Sequence, residues 1–221
     1  MIPKINGRTR YSNSVKKHLR KIKPWQAGAW DKQNNNIKLL KTQLRNQLLI
    51  LQNSKCAYCG LDFNETSSSE LEHIAPKGGL KIPKYLEFTF TPLNLVLACH
   101  LCNSPIKKGT FDPVIHYSQN YKECTFKIYH PFFDNPDVHF DYVFSGFGMI
   151  VQNKTLKGRD TIDLFDLNSA AHINARGRNK LMDILKAALE ETQAEEILTS
   201  TSLTSEQIAD ILKSTTYKKT L

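Results

Sequence analysis

Glu70-Leu71-Glu72-His73-Ile74-Ala75-Pro76-Lys77-Gly78-Gly79, then Thr91-Pro92-Leu93-Asn94-Leu95-Val96-Leu97-Ala98, then Cys99-His100-Leu101-Cys102-Asn103, form the stretch on which the fold turns. Upstream of it stands a matching pair, Cys56-Ala57-Tyr58-Cys59. Two residues between cysteines let a tight turn aim both sulfurs at one ion, and two such turns complete a tetrahedron. Four thiolates leave no open position, so Cys56, Cys59, Cys99 and Cys102 read as ligands of a structural Zn²⁺. Metal binding of this kind supplies on the order of 10–16 kcal/mol toward folding. The gap of 39 residues between the pairs exceeds a simple zinc ribbon, so the segment between them is an insertion framed by the two knuckles. Redox-active pairs are the alternative use of the same spacing. Cys124 is left without a partner and reads as a buried thiol.

The inserted residues resemble the HNH endonuclease family. Its pattern places an acidic residue or His before a key His on one strand, then Asn-Leu opening a second strand, then a His or Asn at the start of a short helix. Glu72-His73, Asn94-Leu95 and Asn103 fill those places in order, inside two Cys-x-x-Cys pairs, over about residues 54–112. The resemblance implies an α+β fold with a ββα-metal core, braced by the four cysteines, that hydrolyses phosphodiester bonds with Mg²⁺ or Mn²⁺. His73 has suitable chemistry for a base, since an imidazole with a pKa near 6.5 takes a proton at neutral pH. Glu72 and Asn103 offer the hard oxygens that hold a largely hydrated Mg²⁺. Asn94 would orient the loop or the His73 ring. The family often carries Asp where this chain has Glu72. Neighbours on a regular strand also face opposite ways, so Glu72 and His73 share a site only where the strand twists or ends. Glu70 is the fallback ligand.

Charge is concentrated at one end. Residues 1–55 hold thirteen Lys and Arg against a single acid, Asp31, whereas the rest of the chain is close to balanced. Such a segment suits a polyanion, because each cation near a phosphate releases condensed counterions. Lys16, Lys17, Arg20 and Lys21, with Lys77, Lys107 and Lys108 near the core, are the candidate nucleic-acid contacts; a solvated basic tail is the bland alternative. No stretch approaches the ~18 apolar residues of a membrane span, and the start shows no apolar leader, so a cytoplasmic location is expected.

The expected organisation has three parts. Residues 1–53 form a basic N-terminal arm and an amphipathic helix from Asn34 to about Gln52, with Ile37, Leu40, Leu44, Leu48 and Leu51 as its stripe. Residues 54–112 form the zinc-braced core. Residues 113–221 form a hairpin and a helical region. The hairpin is expected over 138–152 around Ser145-Gly146, with Val138, Phe140, Tyr142, Phe147, Met149 and Val151 alternating. Helices should follow Thr161, one striped by Leu181, Ile184, Leu185 and Ala188 and one by Ile208, Ile211 and Leu212 with Ser205 as N-cap. His100 should pack against its knuckle, and His116, His130, His139 and His172 read as structural.

A narrower resemblance covers this last part. His130-Pro131-Phe132-Phe133-Asp134-Asn135-Pro136, Lys157-Gly158, Thr161-Ile162-Asp163-Leu164 and Leu167-Asn168 look like the nuclease subunits of Septu-type antiphage systems, retron-linked ones included. That resemblance implies an ATPase partner of SMC or ABC type and nucleic acid as substrate, DNA favoured over RNA. Two other readings stay open. One is a non-catalytic zinc-dependent nucleic-acid-binding or adaptor module, which needs neither His73 nor Asn103. The other is a stand-alone restriction-type HNH nuclease.

Overall fold

A computed structural model describes residues 1–63, 67–104, 107–109 and 111–191. They fall into two compact units, Met1–Arg176 and Gly177–Leu221. The expected boundaries after residues 53 and 112 do not separate compact bodies; all three segments contribute to the first unit.

Helix α1 (Asn13–Lys21) packs on α2 (Asn35–Leu51), and α2 packs on a strand of the central hairpin. Asn34 starts α2 by accepting the Ile37 backbone N–H on its side chain at 3.0 Å, which satisfies one of the donors a helix start leaves open. Ile37, Leu40, Leu44 and Leu48 are fully buried, as the stripe predicts, while Leu51 is only partly covered. Residues 1–33 are not a loose arm. Ile2 and Ile5 are buried near the cysteines, and Val15, Leu19 and Trp30 are buried against α2. Only the outward side of α1 keeps Lys16, Lys17, Arg20 and Lys21 exposed.

Strands β1 (Ser69–His73) and β2 (Leu95–Cys99) pair antiparallel, and α3 (His100–Asn103) follows directly. The register sets Leu71 against Leu97 and His73 against Leu95, on the face toward α2. Glu70 stands against Ala98 and Glu72 against Val96 on the other face. Gln52, just past α2, ties down the free edge of β2: its Oε1 accepts Leu97 N–H and its Nε2 donates to the Leu97 carbonyl, both at 2.8 Å. A side chain thus replaces a third strand, which keeps these buried backbone groups paired.

Downstream, β3 (Val114–His116) pairs with β4 (Thr125–Phe126), and α4 (Pro136–His139) leads into the hairpin of β5 (Phe140–Ser145) and β6 (Gly148–Asn153). The hairpin is shorter than the alternation predicts. Val138 lies in α4, where Pro136 at the first turn favours a helix start, and Phe147 is an exposed turn residue beside Gly146 at φ +59°. Helices α5 (Leu156–Phe165) and α6 (Ala170–Glu191) complete the order; α5 begins before Thr161, and α6 carries the Leu181 stripe. Ser205, Ile208, Ile211 and Leu212 lie outside the described residues.

The C-terminal motifs act as staples. Lys157 pairs with Asp134 at 2.9 Å, Asp134 accepts the His130 N–H at 2.8 Å, and Thr161 Oγ1 accepts the Tyr129 N–H at 2.8 Å. Gly158 leaves no room for a Cβ because the His139 carbonyl lies against it. Asn168 pairs with both backbone groups of Val151 at 2.9 Å. No helix among the described residues is long and apolar enough to cross a membrane.

Candidate active site

The four cysteines meet as the spacing predicts. All are fully buried, and their sulfurs lie within 4.8 Å of one another. A tetrahedral ion with Zn–S of about 2.3 Å sets its sulfurs roughly 3.8 Å apart, so the cluster needs little adjustment to hold one. The Cys59 and Cys99 sulfurs are already 3.9 Å apart, and no disulfide joins the cysteines. Hydrogen bonding among the sulfurs, together with burial, pushes the Cys102 thiol well above its ordinary range. Four crowded thiols with nowhere to place negative charge are a donor set that fits a cation. The first knuckle is fixed by Cys56 N–H to the Leu61 carbonyl (2.9 Å) and Ala57 N–H to the Leu97 carbonyl (3.0 Å). At Gly60, φ +71°, the backbone of Met1 and Ile2 lies where a Cβ would project, so the N-terminal segment straps the knuckle. Cys124 is buried as expected, its sulfur donating to the Ser118 carbonyl at 3.3 Å.

His73 closes β1 on the α2 face, nearly buried. Its Nε2 is 3.0 Å from the Thr89 carbonyl, which can only accept, so Nε2 carries the proton and Nδ1 keeps the lone pair. The Trp30 ring stands edge-on to the imidazole at 4.5 Å. Burial lowers the His73 pKa to about 3, keeping the ring neutral. Asn94, fully buried, holds this arrangement from behind. Its Oδ1 accepts Ala75 N–H at 2.7 Å, and its Nδ2 donates to the carbonyls of Ala75 (3.0 Å) and Phe88 (3.1 Å), next to Thr89. Asn94 therefore acts on the loops at either side of His73, not on the ring. Tyr121 donates to Asn94 Oδ1 at 2.8 Å and meets His130 Nε2 at 3.0 Å, so the downstream His130 motif buttresses the same network.

The acidic candidates occupy the opposite face. Glu72 is nearly buried, and its carboxyl is raised, first by burial, against the opposing pull of Lys108. The Lys108 ammonium lies 3.0 Å from Glu72 Oε1 and 3.3 Å from the His73 carbonyl. The Glu72 contact is thus a buried ion pair. Asn103 does not reach Glu72 in this arrangement. Its Nδ2 donates to Glu70 Oε2 at 2.8 Å, and His100 Nδ1 meets Glu70 Oε1 at 2.7 Å. His100 is thus exposed and paired with Glu70, where packing on the knuckle was expected; the short α3 turns its first residue outward. Lys108 is buried, Lys77 pairs with Asp31 at 3.1 Å, and Lys107 donates to the Phe165 carbonyl at 2.8 Å. Trp30 and Thr89, which touch the His73 ring, and Tyr121, which bonds to Asn94, are neighbours that sequence reading missed. They come from distant segments with no motif, whereas Glu70 was readable from its two-residue spacing to Glu72.

The buried histidines give a pH dependence. His130 stacks on Phe133 at 4.0 Å, and burial lowers its pKa to about 3, as for His73. Both therefore bind protons in the unfolded chain near pH 6.5 but not in the folded one until about pH 3. Stability present at neutral pH is lost as pH falls below about 6.5. Glu72, raised by burial, works in the opposite sense. A net loss on the order of 1–2 kcal/mol is expected between pH 7.5 and 5.5, read from denaturant midpoints; an unchanged or higher midpoint at pH 5.5 would contradict this assignment.

The fold and site define a mixed α+β protein whose central hairpin is framed by a buried four-cysteine cluster. No family model matches the chain. It is distantly related to Septu protein PtuB of Bacillus thuringiensis, 33% identical over 137 residues, which cover 62% of this chain and 45% of that protein. The Septu protein PtuB of Bacillus mycoides (strain KBAB4) is 29% identical over 141 residues, 57% of this chain and 46% of that protein. The chain spans less than half the length of these curated relatives.

Proposed function

We propose that the chain is an HNH-type nuclease that hydrolyses phosphodiester bonds, DNA favoured over RNA, as the effector of an antiphage complex. The observation that carries the reading is the His73 ring, neutral and clamped by Thr89 at the last residue of β1, where the strand ends; Glu70, Glu72 and Asn103 lie on the other face of the hairpin, so one phosphate would have to meet both groups past that end. In this reading His73 Nδ1 takes the proton of the attacking water. Asn94 fixes the two loops that position the ring. Glu72, Asn103 and, as the geometry suggests, Glu70 would hold Mg²⁺ or Mn²⁺, which when bound stabilises charge on the phosphate and the leaving oxygen. The Glu72 carboxylate and the Asn103 amide oxygen are hard donors of the type these ions take. The exposed cations of α1 would hold the phosphate backbone without reading sequence.

An ATPase of SMC or ABC type is the proposed partner. Relatedness to Septu proteins supports this, as do Val143, Phe144 and Phe147, which the β5–β6 hairpin leaves exposed. Exposed apolar side chains grouped in this way suit a protein contact.

Calorimetric titration with Mn²⁺ tests the metal reading. Wild type should bind one ion beyond the zinc, and Asn103→Ala should bind it roughly ten- to a hundredfold more weakly. Absence of any Mn²⁺ binding would favour a non-catalytic zinc module.

A further inference from the structure

Asp31 is the only acid among the first 55 residues, which hold thirteen Lys and Arg. It is placed with care. Gly28, at φ +77°, begins the 3-10 turn Ala29–Asp31, and the Asp31 N–H donates to the Gly28 carbonyl at 3.0 Å. The turn buries Trp30 against His73 and leaves the Asp31 side chain 60% exposed. Two cations from other segments gather there. Lys77, four residues past His73, reaches Asp31 at 3.1 Å, and the Lys41 ammonium of α2 sits over the Trp30 ring at 5.1 Å. Asp31 and Lys77 both act electrostatically on Lys41, with opposite sign.

We propose that Asp31 occupies the place of a nucleic-acid phosphate between Lys41 and Lys77, and that a bound strand displaces it beside the Trp30 ring that covers His73. The proposal rests on the nucleic-acid reading and names the phosphate contacts of that same site. An exposed carboxylate pair of this kind contributes only about 0–1 kcal/mol, so it yields readily to a stronger anion. A phosphodiester brings full charge, several acceptor oxygens and counterion release, and it wins that exchange. Before the strand arrives, Asp31 holds the Lys77 ammonium a few residues past the end of β1, while Lys41 rests on the Trp30 ring.

The experiment is fluorescence anisotropy of the full chain with a labelled mixed-sequence DNA duplex, without added Mg²⁺, over a range of salt. Asp31→Asn should bind roughly three- to tenfold more tightly, with a log K against log salt slope steeper by up to about 0.9. Lys41→Met should weaken binding and flatten the slope by a similar amount. Asp31 is exposed, so the asparagine variant should melt with wild type. Wild type that binds while Asp31→Asn is unchanged or weaker overturns the proposal alone. Wild type with no salt-dependent binding of the duplex overturns the nucleic-acid reading and the proposal with it.

Discussion

His73→Ala should lower the proposed metal-dependent DNA cleavage by roughly 10²- to 10⁴-fold, the range lost with a positioned general base. Three features make His73 the residue to test. Its tautomer is fixed by Thr89, its ring is neutral through burial, and Asn94 clamps the loops on both sides. Alanine also removes packing against Trp30, so a second variant separates chemistry from folding. In His73→Gln the side-chain amide can still donate to Thr89, but no basic nitrogen remains. Both variants should keep their zinc and their fold while losing cleavage. Retention of wild-type rates by either would remove His73 from the mechanism.

Replacing Cys59 or Cys102 with serine should unfold the protein. A structural zinc contributes on the order of 10 kcal/mol, comparable with the ~5–15 kcal/mol net stability of a whole domain, so little remains once it is lost. The damage is not local. The first knuckle binds β2 through Leu97, the second continues β2 into α3, and the N-terminal residues Met1 and Ile2 lie over Gly60. Elemental analysis should find one zinc per wild-type chain, and circular dichroism of the serine variants should show lost structure. Folded wild type without zinc would contradict the assignment.

What was legible in the sequence was local. The spacing of Cys56, Cys59, Cys99 and Cys102 carried the cluster, and the leucine period carried α2. Strand alternation warned that Glu72 and His73 face opposite ways, and the β1–β2 register bears this out. What remained hidden depended on long-range packing. The basic segment read as an arm because thirteen cations stand there against one acid, yet Ile2, Ile5, Val15, Leu19 and Trp30 suffice to fold it onto the core. No local pattern could announce that Gln52 would complete the edge of β2. Nor could one show that Lys108 would pair with Glu72 below the surface, or that Asn103 would turn to Glu70.

The central claim is that this chain cuts nucleic acid with a divalent metal and not merely binds it. The most direct measurement is conversion of supercoiled plasmid by the purified, zinc-loaded full chain, alone and with the proposed ATPase, in Mg²⁺ or Mn²⁺ and in their absence. The account predicts nicked or linear product only with the divalent ion present. Intact plasmid under every condition, from protein that is folded and binds DNA, would contradict it.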